Sequence, residues 1–287
     1  MKIMIKFLSS LFLIVIFWGC SDLQTDIPQP INKISIHVEG ISDVSSPNFH
    51  GKLIKDSNWD VKQCQDCHSA DYSGGLTNKS CLTCHTSPNG PEACNTCHGD
   101  FNSPGQIAPP RAIDGQFNTD YRGVGAHSKH LYTNTFGKTL TCLICHNVPS
   151  SIYSPGHLDS SPHAEVLLNH LASFRTITAP VYDPANLTCA NTYCHGNFAF
   201  YRDSSLNNNY GVYLTDKMEG NNVTVTWNKV NQNQAACGTC HDLPPKGHKV
   251  FTDDPLRNCN LCHGSVVDGD GRIIDKSKHV NGLIDFN

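Results

Sequence analysis

The sequence predicts an irregular fold, mostly loops and short helices with a small β-hairpin, whose interior is filled by something other than packed secondary structure. Three observations predict it. The 287 residues include 15 cysteines and 16 histidines, far above ordinary usage. Only 38% of residues are hydrophobic, alongside 22 glycines and 16 prolines, too few to build the large apolar core that a domain of this length normally buries. Clear alternation of apolar and polar residues is confined to one short stretch. Disulfides, metals or a bulky cofactor must then supply the interior, and cysteine spacing decides among them. A formal net charge of −4 disfavours nucleic acid as a partner.

Residues 1–19 read as a signal peptide. Lys2 and Lys6 precede an uncharged stretch, residues 7–19, too short to cross a hydrocarbon core of about 30 Å as a helix. Gly19 followed by Cys20 and then SDLQTDIPQP resembles a bacterial lipoprotein signal, in which Cys20 becomes the lipidated first residue, although Phe17 stands where Leu is usual and Trp18 is bulky. The other reading is a Cys inside a secretory signal cleaved elsewhere. The remaining 14 cysteines all pair within motifs, which leaves Cys20 as the one unassigned thiol. Residues 20–48, rich in Ser, Asp, Pro and Asn, read as a lipid-anchored linker, and 49–287 as the folded body. The expected location is outside the cytoplasm, on the bacterial outer membrane at its periplasmic or cell-surface face, with Ser21 after the Cys pointing to that membrane.

From residue 64 the cysteines fall as CQDCH (Cys64, Cys67, His68), CLTCH (Cys81, Cys84, His85), CNTCH (Cys94, Cys97, His98), CLICH (Cys142, Cys145, His146), CGTCH (Cys237, Cys240, His241) and CNLCH (Cys259, Cys262, His263). Composition alone predicts roughly 0.04 copies of CxxCH, so six copies exclude chance. A seventh pair, CANTYCH (Cys189, Cys194, His195), carries two extra residues between the cysteines and keeps the adjacent His. Two thiols three positions apart on a turn can each add to one vinyl group of the same haem, and the next residue brings its imidazole under the iron. CxxCH is accordingly the signature of covalent haem c attachment, and the histidines are the proximal ligands. Zinc knuckles need no His directly after the second Cys, and a disulfide framework explains even numbers of Cys but not the histidines.

Seven proximal histidines leave nine others. His50, His127, His130, His157, His248 and His279 are flanked by Gly or small polar residues, which let the backbone approach a porphyrin face, and are the distal candidates. His163 is a weaker seventh, while His170 and His37 fit a surface or core histidine as well. Met1 and Met4 lie in the signal and only Met218 remains, so bis-His irons of low potential follow.

About 34 residues of the body are available per haem, too few for each to have its own protein core, so porphyrins must pack on one another. Attachment sites crowd at 64–98 and 237–263. Between them, 164–174 (AEVLLNHLASF) fits either a short helix or a strand, whereas VTVTW after the turn signal GNN predicts a β-hairpin within 211–230. The whole is an irregular, cofactor-organised multihaem cytochrome c fold.

The run from CQDCH to CNTCHGD, then GVGAHSKHL, CLICHNVP, CANTYCHGN, CGTCHDLPPKGH, CNLCHGSVVD and HVNG, resembles the CxxxxCH/CxxCH multihaem c-type cytochrome family of metal-reducing bacteria across about residues 48–287. The resemblance implies haem attachment at Cys189, Cys194 and His195, and the role of an exported electron carrier, often an outer-membrane lipoprotein linked to anaerobic or extracellular respiration. The expected function is electron transfer without catalytic residues, to redox partner proteins or extracellular acceptors, with association with other cytochromes. An alternative is a multihaem reductase with one open iron, against which stand nine spare histidines and no CxxCK motif. Another is a subunit of a conductive filament. Without Lys2 and Lys6 the chain carries 19 basic against 25 acidic residues, so partner docking should weaken as salt rises.

Overall fold

A computed structural model of the chain describes residues 36–103, 106–107, 111–159, 163–205, 210–251, 253–254 and 258–286. The expected signal peptide, Cys20 and the first part of the linker lie outside the described residues. Among the described residues no helix is long and apolar enough to cross a membrane.

The chain divides into two compact units, Met1–Ser57 and Asn58–Asn287. In the first, a series of turns leads into helix α1 (His50–Asp56). The His50 backbone N–H donates to the Ile41 carbonyl at 2.8 Å, which folds the preceding turns back onto the helix start. Lys55 in the last turn complements the helix dipole.

The second unit is mostly loop. Its α-helices are single turns, α2 (Gln65–His68), α3 (Cys94–Cys97), α4 (His127–Leu131) and α5 (Asn260–His263), interspersed with 3₁₀ turns. Such lengths are far below what an isolated helix needs, so tertiary contacts and not propensity hold them. Strands β1 (Val181–Asp183) and β2 (Thr188–Ala190) form a β-hairpin, and β5 (Val225–Thr226) pairs antiparallel on the other side of β2. Strands β3 (Ala199–Tyr201) and β4 (Lys217–Glu219) form a separate two-stranded antiparallel sheet.

The fold is therefore irregular with a small hairpin, as expected, but the hairpin is not at 211–230. The two strands of that stretch, β4 and β5, go to different sheets. The reason lies in the intended turn. The N–H groups of Gly220, Asn221, Asn222 and Val223 donate to the carbonyls of Phe198, Cys240, Gly196 and His195, so the turn backbone is engaged by CANTYCHGN and CGTCH and does not close a hairpin. The stretch 164–174 is irregular chain followed by a 3₁₀ turn, His170–Ser173.

The protein core is small. Among the described residues thirteen hydrophobic residues are buried, four of them alanines, and the largest fully buried side chains are Val124 and Asn197. Val181, Leu143, Phe251, Leu261 and other large apolar side chains are exposed. The apolar shortfall read in the composition is thus visible in the packing.

Candidate functional site

Four of the six CxxCH motifs are closed on one turn. The His N–H donates to the carbonyl of the first Cys at 2.9 Å in His85, His98 and His146 and at 2.8 Å in His263. That i to i+4 closure sets both thiols and the imidazole on one short stretch of helix. In CANTYCH the turn is built differently. Cys189 sits in β2, opposite Tyr182 on one side and Val225 on the other. Asn191 then takes φ 59°, and the turn is completed by the His195 N–H donating to Thr192. The two extra residues are the exit from a strand. Asn197 secures that exit: its Nδ2 donates to Thr178 and Asn191 carbonyls at 2.7 and 2.8 Å, and its Oδ1 accepts from the Ile177 N–H. Gly196, at φ +92°, lies so close to the Cys240 carbonyl that a Cβ would collide with it. This contact brings the seventh motif against CGTCH.

Within Asn58–Asn287, five motif imidazoles face an imidazole from elsewhere. The ring centroids of His98 and His157 are 6.1 Å apart. Those of His146 and His127, of His195 and His130, and of His241 and His279 are 6.3 Å apart, and those of His263 and His248 6.5 Å. Two imidazoles that share one metal through bonds of about 2 Å have centroids a little over 6 Å apart. Every partner is one of the sequence's distal candidates.

Eight of these ten rings donate Nδ1–H to a backbone carbonyl, for example His146 to Glu165, His263 to Asp285 and His279 to Phe136. Such a bond fixes the tautomer, orients the ring and leaves the Nε2 lone pair for a metal. Burial holds the imidazoles neutral, the form that ligates. It pushes His127 and His195 down to about 4 and also lowers His98, His130, His248 and His279. Nδ1 of His195 is buried without a hydrogen-bond partner, and nothing in the structure explains it.

The other candidate histidines make the following contacts. Nδ1–H of His68 donates to the Lys79 carbonyl, that of His50 to Ile41, and the His85 ring meets Phe101 edge-on. His163 turns Nε2 toward Arg122 Nη1 at 2.9 Å, so that lone pair accepts from a guanidinium. His170 opens a 3₁₀ turn at φ 53°. Met218 is buried in β4, opposite Phe200.

The five facing pairs, with the thiols of their motifs, line one cavity of about 2300 Å³. Ordinary small-molecule pockets hold about 300–1,000 Å³. No disulfide joins the fourteen described cysteines. Burial raises the thiols of Cys189 and Cys194 to about 12 and that of Cys145 to about 11. Among the described residues no group of three or more His, Cys, Asp or Glu side chains converges on a common point. Tetrahedral zinc would require four such ligands, whereas a metal already held in a macrocycle needs two.

Sequence reasoning missed Asn197, two residues after the motif's His, and Trp227, whose ring contacts both His127 and His130. The signals were available: an Asn after CHG, and one of only three tryptophans in the chain. Comparison with known protein families, curated proteins and solved structures finds no match.

Proposed function

We propose that this chain is a multihaem c-type cytochrome that relays electrons through seven covalently attached, mostly bis-His haems, as a lipid-anchored member of the CxxxxCH/CxxCH family acting in anaerobic or extracellular respiration. One observation carries the reading: five CxxCH or CxxxxCH imidazoles each face a second imidazole at 6.1–6.5 Å. The cavity supports it. Its volume of about 2300 Å³ has room for several large planar ligands, where an ordinary small-molecule pocket of about 300–1,000 Å³ takes one. Stacked porphyrins would fill it.

A bound haem would supply one-electron chemistry, and the facing imidazoles would hold its iron and tune its potential. The chain's residues hold and tune. Cysteine pairs tether, neutral imidazoles ligate, and carbonyls on Nδ1–H raise ligand basicity and keep the rings from turning. No side chain needs to move a proton, and at the five paired centres the facing imidazoles leave no open position for substrate. That favours electron transfer over a multihaem reductase.

The test is an intact-mass measurement of mature protein with a pyridine haemochrome count. Seven haems, retained in acidified acetone, are expected. Colourless protein, or pigment released by the acid, would overturn the proposal. Carbon monoxide binding by the reduced protein at neutral pH would replace it with the reductase.

A further inference from the structure

Trp227 is the last residue of the alternating stretch, immediately after β5. Its backbone N–H donates to Leu187 at 2.7 Å, and its indole Nε1–H donates to the Arg122 carbonyl at 2.8 Å. Asn228 adds a bond from Nδ2 to the Asp120 carbonyl. The indole is thereby tied both to the sheet that carries Cys189 and to the segment that leads into α4. There it meets two ligands at once. The His127 ring meets it edge-on, centroids 4.6 Å apart at 87°, and the His130 ring lies nearly parallel to it, 5.8 Å apart at 10°.

His127 and His130 are three residues apart on α4, hence on one face of the helix. Nδ1–H of each is fixed to a carbonyl of the preceding turn, Val124 and Ala126. The indole packs on both rings and adds a second restraint on their planes. The result differs between the two centres. His127 lies at 29° to His146, whereas His130 lies at 83° to His195. Gly125 belongs to the same device: at φ +43°, it leaves the space a Cβ would take from the indole Nε1.

We propose that Trp227 is a positioning residue for the CLICH and CANTYCH centres, holding His127 near-parallel and His130 near-perpendicular to their partner imidazoles. The inference rests on the haem reading above. The angle between axial planes governs how the iron d orbitals split. A near-parallel pair gives a rhombic low-spin electron paramagnetic resonance signal, and a near-perpendicular pair gives a strongly anisotropic one. Two neighbouring centres built from the same ligands thus become inequivalent through one indole.

The experiment records these spectra on the oxidised full-length protein. Wild type should show a strongly anisotropic low-spin signal beside rhombic ones. Trp227→Leu should lose the most anisotropic signal, equivalent to one haem, while the haemochrome count stays at seven and the signals of the other centres persist. Gly125→Ala, which displaces the indole without removing it, should shift the same signal. Trp227→Phe, which keeps an aromatic ring but lacks the Nε1–H, should shift it less than the leucine variant.

An unchanged spectrum in any variant that retains seven haems overturns the proposal, and so does a uniform change across all centres. If Trp227→Leu does not accumulate, Gly125→Ala and Trp227→Phe decide by the same criterion. Wild-type protein without acid-stable haem would instead sink the haem reading, so the two failures are distinguishable.

Discussion

Asn197→Ala should loosen the seventh attachment motif more than any other single polar truncation in the second unit. The amide is 1% exposed and makes three bonds, two donated to carbonyls on separate strands of chain and one accepted from a backbone N–H. Truncation leaves the Ile177 N–H and the Thr178 and Asn191 carbonyls without that partner. Stranding a buried backbone group costs about 1–3 kcal/mol. The carbonyls can relax toward one another's surroundings, so a total of about 3–5 kcal/mol is expected. For a unit of this size, each kcal/mol lowers the melting temperature by roughly 2–4 °C. Scanning calorimetry of the two proteins should then show a drop of roughly 6–20 °C, with faster amide exchange at Ile177. Asn197→Asp separates bonding from volume: it fills the same space but presents acceptors to two carbonyls, and should be at least as damaging. An alanine variant that melts with wild type, or a benign aspartate variant, would refute the reasoning.

Other perturbations act on the same scaffold. Gly196→Ala forces a side chain into a left-handed backbone position against the Cys240 carbonyl, and should destabilise by more than about 1–3 kcal/mol, read as a shifted urea midpoint. His157→Gly removes the imidazole facing His98, and one haem in the reduced variant should then bind carbon monoxide where wild type binds none. Cys189→Ala combined with Cys194→Ala should lower the intact mass by one haem and leave six, and an unchanged mass would exclude CANTYCH as an attachment site. Cys20→Ala should move the protein from the detergent phase to the aqueous phase in Triton partitioning, and retention in detergent would place the anchor elsewhere.

The CxxCH and CxxxxCH motifs were legible because, on the proposed reading, covalent capture by one turn demands a fixed local spacing that any chain position can satisfy. Pairing was not legible. His279 meets His241 and has its Nδ1–H bonded to the Phe136 carbonyl, 143 residues away, and no local pattern encodes such a meeting. Flanking glycine and small residues picked out six histidines, five of which face a motif imidazole within the second unit, since close backbone approach has a compositional trace, while His163 turns to Arg122, a guanidinium distant in sequence. The misplaced hairpin has the same origin. VTVTW carries a genuine strand period, but its partner is the cysteine-bearing β2, and the GNN backbone bonds to motifs that local reading treats as separate. Where the cofactor motif and the strand compete for one backbone, periodicity alone picks the wrong partner.

Helix α4 is five residues long and contributes two axial candidates. A segment so brief has almost no autonomous stability. On the proposed reading its order and its coordination are therefore one equilibrium: unwinding would detach both irons together, and the first bond to form would prepay the ordering of the second. Exchange of either ligand should then be concerted, with exogenous imidazole or cyanide displacing His127 and His130 as a unit and not in sequence.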